Sequence, residues 1–218
     1  MRERDQLRKD AVERPGFYSP AGHLLAPGLI GLCLIAACAL SIRSLRPWEL
    51  AFAAFVLVLS NAVEWRTHRD VLHKRFAPLG ILYDRHTPVH HRIYVAGDMQ
   101  MRDPREFRLV LLPATGILAI LLMTAPPAAL LWLLGQHNLG LIYLMVTTAY
   151  VLLYEWLHLA YHLPERYYLG PLRLIRSLRH HHEVHHDPAN MQKWNFNVTV
   201  PLWDWVRGTT LSDSPVRK

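Results

Sequence analysis

Four stretches of this chain are apolar and long enough to decide its fold class. Residues 24–42, LLAPGLIGLCLIAACALSI, run for 19 residues without a charge. At about 1.5 Å per residue a helix of that length covers roughly 28 Å, one hydrocarbon thickness of a bilayer. A second run, WELAFAAFVLVLSNAV (48–63), follows after RSLRP. A third, FRLVLLPATGILAILLMTA (107–125), is followed by Pro126, Pro127 and more apolar sequence to Leu134, and a fourth, LGLIYLMVTTAYVLLYEWLHLAYH, covers 139–162. Backbone polar groups cannot be left unpaired in lipid, so such runs must be helices. The expected fold is all-α: an integral membrane bundle of four transmembrane helices, at about 24–42, 48–66, 107–125 and 139–158.

The first run has a competing reading as a secretory signal, because LIAACA resembles a lipoprotein cleavage site. The charged region before it is longer than a signal needs and Pro27 interrupts the run, so a retained span is the reading adopted. Cys33 and Cys38 lie inside this run and read as small apolar residues.

The formal charge of +7 is unevenly placed. With four spans, the stretch 1–22, the segment 66–108 and the tail after 162 share one side and hold 5, 9 and 8 basic residues. The loops on the other side hold Arg43 and Arg46. The positive-inside rule makes the richer side cytoplasmic, with both termini there. Basicity then reports topology and not nucleic-acid binding. The expected organisation is a solvated cytosolic arm (1–22) and a membrane-embedded domain (23–218), with His-rich cytosolic segments at 67–106 and 158–211. Twenty Arg against four Lys suggests a GC-rich bacterial source, hence a bacterial inner membrane.

Twelve of the 14 histidines fall on the basic side. THRDVLHK supplies His68 and His73, and RHTPVHHR supplies His86, His90 and His91. LHLAYH supplies His158 and His162, and HHHEVHH supplies His180, His181, His182, His185 and His186. From 48 to 77 there is no Gly or Pro, so a single helix is expected to carry His68 and His73 beyond the membrane. His158 and His162 are i, i+4 and share one helix face; His182, His185 and His186 do so too if helical. The i+5 steps, 68 to 73 and 86 to 91, are about 140° apart on an α-helix and suit neighbouring metals or a bent segment better than one ion. His23 sits at a membrane edge and His137 in the short outer loop; both read as interfacial residues and are assigned no chemistry.

EWRTH (64–68) and EWLHLAYH (155–162) each end a hydrophobic hairpin, and each is followed by a cluster closing in His-His. This faint internal repeat implies two half-sites, and ten imidazoles suit two metals with four or five ligands each. A proton-relay transporter would place its histidines within the spans and not beyond them.

The pattern H-x4-H, H-x3-H-H, H-x3-H, H-x2-H-H over four spans resembles the fatty acid hydroxylase/sterol desaturase superfamily. GDMQMRDPREFRLVLLP (97–113) resembles that family's linker into its third span, and NFNVTVPLWDWVRGT (195–209) its closing segment; together the resemblance covers 48–211. It implies an oxygenase holding two iron ions on His68, His73, His86, His90, His91, His158, His162, His182, His185 and His186, with His181 as an additional candidate. O2 would be the co-substrate. The family's closing turn has glycine in some members where this chain has Asn197; Asn tolerates left-handed backbone, so the turn is expected to survive. Some members carry a fused haem domain. About 22 residues precede the first span here, so electrons are expected from a separate protein, a ferredoxin or small cytochrome.

No catalytic side chain is expected beyond the metal ligands. Ligand histidines usually give their second N–H to a carboxylate or carbonyl, and Glu64, Asp70, Glu155, Glu183 and Asp187 are the acids near enough in sequence to accept it. Asp204 in PLWDW is expected to fix the tail, with Trp203 and Trp205 at the membrane interface. The expected substrate is a lipid, fatty acyl or sterol-like, and the expected reaction hydroxylation of a C–H bond. Lipid desaturation, carotenoid hydroxylation and non-catalytic metal binding or transport are the alternatives.

Overall fold

The computed structural model describes residues 2–13, 16–164 and 172–212. No strand occurs among them; the chain is helical, and four of its helices are long and apolar enough to cross a membrane: Pro20–Ser41, Pro47–Leu72, Pro104–Leu133 and His137–His162. The protein is an integral membrane protein. It divides into two compact units: Ser19–Ser60 with Leu111–Glu155, and the described residues of Met1–Tyr18, Asn61–Val110 and Trp156–Lys218.

The first unit is apolar helix packing. Its elements are α2 (Pro20–Ser41), the first part of α3 (Pro47–Thr67), α7 (Ala114–Leu133) and most of α8 (His137–His162). Ser19 caps α2, its hydroxyl accepting from the Gly22 N–H at 3.1 Å. Small residues set the helix spacing. A Cβ on Gly31 would stand 2.8 Å from the Leu152 side chain, and one on Gly140 would stand 2.9 Å from the Ala128 carbonyl oxygen. Such close approach is what membrane helices gain from glycine, since lipid offers no hydrophobic drive to association. Pro126 and Pro127, taken from the sequence as the end of the third span, lie inside α7.

The third apolar run is instead broken earlier, at 111–113. There the buried Glu155 carboxylate accepts the Leu112 N–H at 2.6 Å, and the His23 ring donates to the Leu111 carbonyl at 3.2 Å. These two side chains satisfy backbone groups that the helix break releases. At another corner of the unit Asn138 pairs with both main-chain groups of Arg43 and donates to Glu49. His137 stacks on Trp132, ring centroids 4.4 Å apart.

The second unit holds nearly all the buried polar side chains. It begins with α1 (Arg2–Val12). The sequence suggested a solvated arm here, but Arg8, Ala11 and Val12 are buried and α1 is packed against the segment 92–106. The reason is charge pairing: Arg4 meets Asp98, Glu3 meets Arg92 and Asp5 meets Arg102, while Arg8 reaches inward to Glu106.

Next come the end of α3, α4 (Gly80–Arg85), α5 (His91–Ile93), α6 (Phe107–Val110), the end of α8, α9 (Arg173–His185) and α10 (Leu202–Arg207). The long helix expected over 48–77 stops sooner: α3 passes at Thr67 into a π-helical turn, His68–Leu72, and the chain leaves the helix at His73. A second π-helical turn, His86–His90, links α4 to α5.

Candidate metal centre

α9 shows how the sequence builds the centre. Its buried residues are Ile175, Leu178, His182, Val184 and His185, so the apolar stripe that seats the helix continues directly into imidazoles. Arg173 and Arg176 occupy the exposed side. The end of α8 does the same with Leu159, Ala160 and Tyr161 buried beside His158 and His162.

The ten predicted histidines come together as two groups of five. His68, His73, His86, His91 and His185 form one; His90, His158, His162, His182 and His186 form the other. In each group all five ring nitrogens lie within 4.8 Å of one another, and every residue is buried. The groups adjoin: the rings of His91 and His186 stack with centroids 4.1 Å apart.

The i+5 steps are resolved by the π-helical turns. A π turn bonds residue i to i+5 and so places those residues in register. The His73 N–H donates to the His68 carbonyl at 3.2 Å, and their rings stack at 5.0 Å. The His91 N–H donates to the His86 carbonyl in the same way, and their rings meet edge to face with centroids 4.6 Å apart. Each pair therefore serves one group: of the two alternatives the i+5 spacing left open, neighbouring metals or a bent segment, the structure has a local departure from the α-helix. The i, i+3, i+4 set is divided instead: His182 and His186 join one group and His185 the other.

Burial holds these rings neutral. Desolvation, reinforced by neighbouring imidazoles, keeps His73, His86, His91, His182, His185 and His186 well below the ordinary value of 6.5, and brings His90 down to about 4. A neutral imidazole has one N–H and one lone pair, and its hydrogen bond fixes which nitrogen carries which. His68 Nδ1 donates to the Phe196 carbonyl. His185 Nδ1 donates to Trp194 (2.8 Å), His90 to Leu109 (2.9 Å), His162 to Met99 (2.8 Å) and His186 to Tyr94 (2.7 Å), all main-chain carbonyls. His73 Nδ1 donates to the Thr87 hydroxyl oxygen at 3.2 Å, since that hydroxyl spends its own proton on the Leu72 carbonyl.

On these six rings Nε2 is then a bare acceptor, and it faces the Nε2 of a neighbouring ring. His73 Nε2 and His185 Nε2 stand 2.9 Å apart with no proton between them. His86 Nε2 lies 3.0 Å from both His68 Nε2 and His91 Nε2; His158 Nε2 lies 3.2 Å from His90 and 3.3 Å from His162; His182 and His186 are 3.0 Å apart. Facing lone pairs repel unless a cation sits among them. Nitrogens about 2.1 Å from a common ion and at right angles to each other are about 3.0 Å apart, the spacing seen here. The donor set fits a metal in each group, and neutral imidazoles suit iron, copper, nickel or zinc.

The additional candidate His181, and His180 beside it, which was not a candidate, lie elsewhere. His181 belongs to neither group; its Nε2 faces Asp204 at 3.2 Å. His180 is exposed and meets the Ser212 carbonyl. The five acids proposed as partners of the ligand rings have other engagements. Glu64 accepts from the backbone of Val198 and Thr199 and from the side chains of Asn197 and Thr199. Asp70 pairs with Arg66, Arg69 and Lys74. Glu155 holds Leu112, Glu183 accepts from the Gly97 N–H and Asp187 from the Ala189 N–H. For His68, His90, His162, His185 and His186 main-chain carbonyls take the role foreseen for carboxylates, and for His73 the Thr87 hydroxyl does.

Two side chains hold the segment that carries the Phe196 carbonyl: Asp204, expected from the sequence to fix the tail, and Asn61, which drew no attention there. Asp204, fully buried, accepts from the Phe196 and Asn197 N–H groups and from Thr209. Asn61, a polar residue inside an apolar run, donates to Val200 and accepts from the Trp203 N–H. The left-handed residue of the closing turn is Asn195 (φ 59), not Asn197. Asn195 ties His181 to Leu211, whereas Asn197 is a buried bridge from the Asn61 carbonyl and Glu64 to the Asp204 N–H.

The family model for fatty acid hydroxylase matches residues 53–209, which include all ten histidines of the two groups. The chain belongs to the fatty acid hydroxylase family. No curated protein and no solved structure matches it. The family is generally one of oxidoreductases acting on lipids in membranes, and the four spans and two histidine groups agree with that at family level. The first span and α1 lie outside the matched residues.

Proposed function

We propose that this protein is an O2-dependent di-iron hydroxylase that inserts oxygen into a C–H bond of a fatty acyl or sterol-like lipid. The observation that supports it most is the two adjoining sets of five neutral imidazole nitrogens, His68/His73/His86/His91/His185 and His90/His158/His162/His182/His186, in a chain of this family. When bound, iron supplies oxidising power toward an unactivated C–H bond, which no amino-acid side chain offers. The chain's own part is to hold the rings in one tautomer through the carbonyls of Phe196, Trp194, Leu109, Met99 and Tyr94, to keep water out, and to present a lipid from the bilayer.

Hydroxylation of RH by O2 gives ROH and water and needs two electrons and two protons from outside. The donor is a separate acidic protein, a ferredoxin or small cytochrome, docking on the basic face of α9. Arg173 and Arg176 are exposed there and Arg179 half-buried; Arg166, part of the same basic run, lies outside the described residues. Both termini are cytoplasmic and the membrane is a bacterial inner membrane.

The test is turnover of the purified, iron-loaded protein in lipid with a reductase, ferredoxin and 18O2. A lipid product heavier by one labelled oxygen supports hydroxylation. A product lighter by two hydrogens makes the chain a desaturase, and absence of reductant-dependent O2 consumption makes it a metal-binding or transport protein.

A further inference from the structure

The segment 93–101 touches the second histidine group at two points. The Tyr94 carbonyl takes the His186 Nδ1 proton and the Met99 carbonyl takes that of His162. Its far end is tied back as well, the Met101 N–H donating to the His162 carbonyl at 2.8 Å. What fixes this segment comes from α1. Arg8 donates to the carbonyls of Ile93 (3.4 Å) and Gln100 (3.3 Å), each the neighbour of a carbonyl that orients a ligand ring. Its guanidinium lies 5.2 Å over the Tyr94 ring. The same side chain forms an ion pair with Glu106 at 2.8 Å, the two side chains 7% and 1% exposed. Glu106 in turn accepts the Tyr94 hydroxyl at 2.7 Å and the Arg102 N–H at 3.1 Å. The rings of the first group meet other oxygens: those of Phe196, Trp194 and Thr87.

We propose that Arg8, acting through Glu106 and the segment 93–101, is a positioning residue for the second metal group alone, so that α1, outside the family match, completes half of the centre. Burial supports this: an arginine and a glutamate this enclosed are retained in one geometry, because either one left unpaired would be an uncompensated buried charge. Geometry supports it too, since the carbonyls Arg8 pins are adjacent in sequence to those that set the tautomer and direction of His162 and His186. Orientation of a ligand ring by its second N–H governs metal retention.

The proposal rests on the metal reading, and the test separates the two. Full-length protein in detergent is loaded anaerobically with Fe(II), and release to a chromogenic chelator is followed. Two irons per chain are expected. Arg8→Ala should speed release of one iron roughly 10-fold or more and leave the other at the parent rate. His185→Ala removes a ligand of the first group, so the iron that stays tightly held belongs to the second; adding Arg8→Ala should accelerate it. In His162→Ala the tightly held iron belongs to the first group, and Arg8→Ala should not move it. Arg8→Lys should restore part of the retention. Tyr94→Phe, which keeps the backbone and loses only the Glu106 contact, should show the same one-iron effect more weakly, and it carries the test if Arg8→Ala fails to fold. Arg75→Ala, which breaks the outer Arg75–Asp84 pair, is the control. Parent rates for both irons in Arg8→Ala or in Tyr94→Phe overturn the inference, as does equal loss of both. A parent protein that binds no iron overturns the metal reading itself.

Discussion

His90 and His185 are exchanged between the two histidine groups of the candidate metal centre. His90 lies between His86 and His91 in sequence yet joins the group built from the second half, and His185 lies between His182 and His186 yet joins the group built from the first. Each group is thus four histidines from one half of the chain and one from the other. The internal repeat visible in EWRTH and EWLHLAYH becomes an interlocked pair, with neither metal position complete from one half alone.

The exchange predicts that losing either crossing ligand is as damaging as losing a ligand of the local four. His185→Ala and His90→Ala should each lower metal affinity at one position by at least the 10- to 100-fold typical of losing a mere supporting contact, and should abolish lipid product. His137→Ala, which loses only its stack on Trp132, should keep both metal content and product. Elemental analysis and mass spectrometry of the lipids check this. Equal damage from His137→Ala would refute the assignment.

Asp204 should matter without touching a ring of either group. It is fully buried and its two oxygens receive Phe196 N–H, Asn197 N–H, the Thr209 hydroxyl and His181. Asp204→Ala leaves several buried donors unmatched, each worth about 1–3 kcal/mol, so a loss of roughly 3 kcal/mol or more in stability is expected. The segment it holds carries the Phe196 carbonyl that orients His68, so metal release from the first group should also quicken. Thermal unfolding and chelator kinetics measure the two effects separately.

Metal-stripped protein should be acid-labile. The ring pKa values of His73, His86, His90, His91, His182, His185 and His186 are all below 6.5 in the fold, by burial first, with His90 at about 4. The unfolded chain therefore binds more protons than the folded one below pH 6.5, and stability must fall as pH falls. Full stability is expected above 6.5, with progressive loss from there toward pH 4. Bound metal should shift the loss to lower pH, since proton and metal compete for Nε2. Unfolding curves of the chelated protein across this window test the sign; stability rising on acidification would contradict it.

How much of this was legible beforehand differs by residue. The ten candidate ligands were readable because imidazole side chains are scarce and their clustering is hard to obtain otherwise. Their partition was not, since an α-helical wheel puts His68 and His73 about 140° apart and only a π turn brings them together. The partners of five rings escaped because they are main-chain carbonyls, which every residue has. Asn61 and Glu106 did leave a signal, a polar side chain in or beside an apolar run, but nothing local said what they bind. α1 was misjudged because its composition is that of a solvated helix, and only the opposing charges of Arg92, Asp98, Arg102 and Glu106 draw it in.

Topology is predicted from the basic residues. A single cysteine introduced at Gln136, in the short loop before α8, should be labelled from outside intact cells; one at Lys193 should be labelled only after the membrane is opened. Both positions are exposed. The native Cys33 is also exposed along α2 and must be replaced first. Both sites labelling from the same side would remove the four-span arrangement.

Electron delivery gives the last prediction. α9 buries His182 and His185 and shows Arg173 and Arg176 to solvent, so a donor docked on the exposed face, as proposed, would sit one helix away from the candidate centre. An acidic donor steered to that face should associate more slowly as salt rises, because exposed charges are screened beyond about 8 Å at physiological ionic strength. With donor limiting, raising salt should therefore slow turnover, and Arg173→Glu with Arg176→Glu should slow it at low salt while flattening the salt dependence. A small chemical reductant needs no docking and should restore the rate of the double variant to that of the parent. The competing role for these arginines is to hold lipid phosphates, which would leave donor kinetics untouched. If turnover with protein donor ignores both salt and the two substitutions, the arginines anchor the chain to the membrane surface and the donor docks elsewhere.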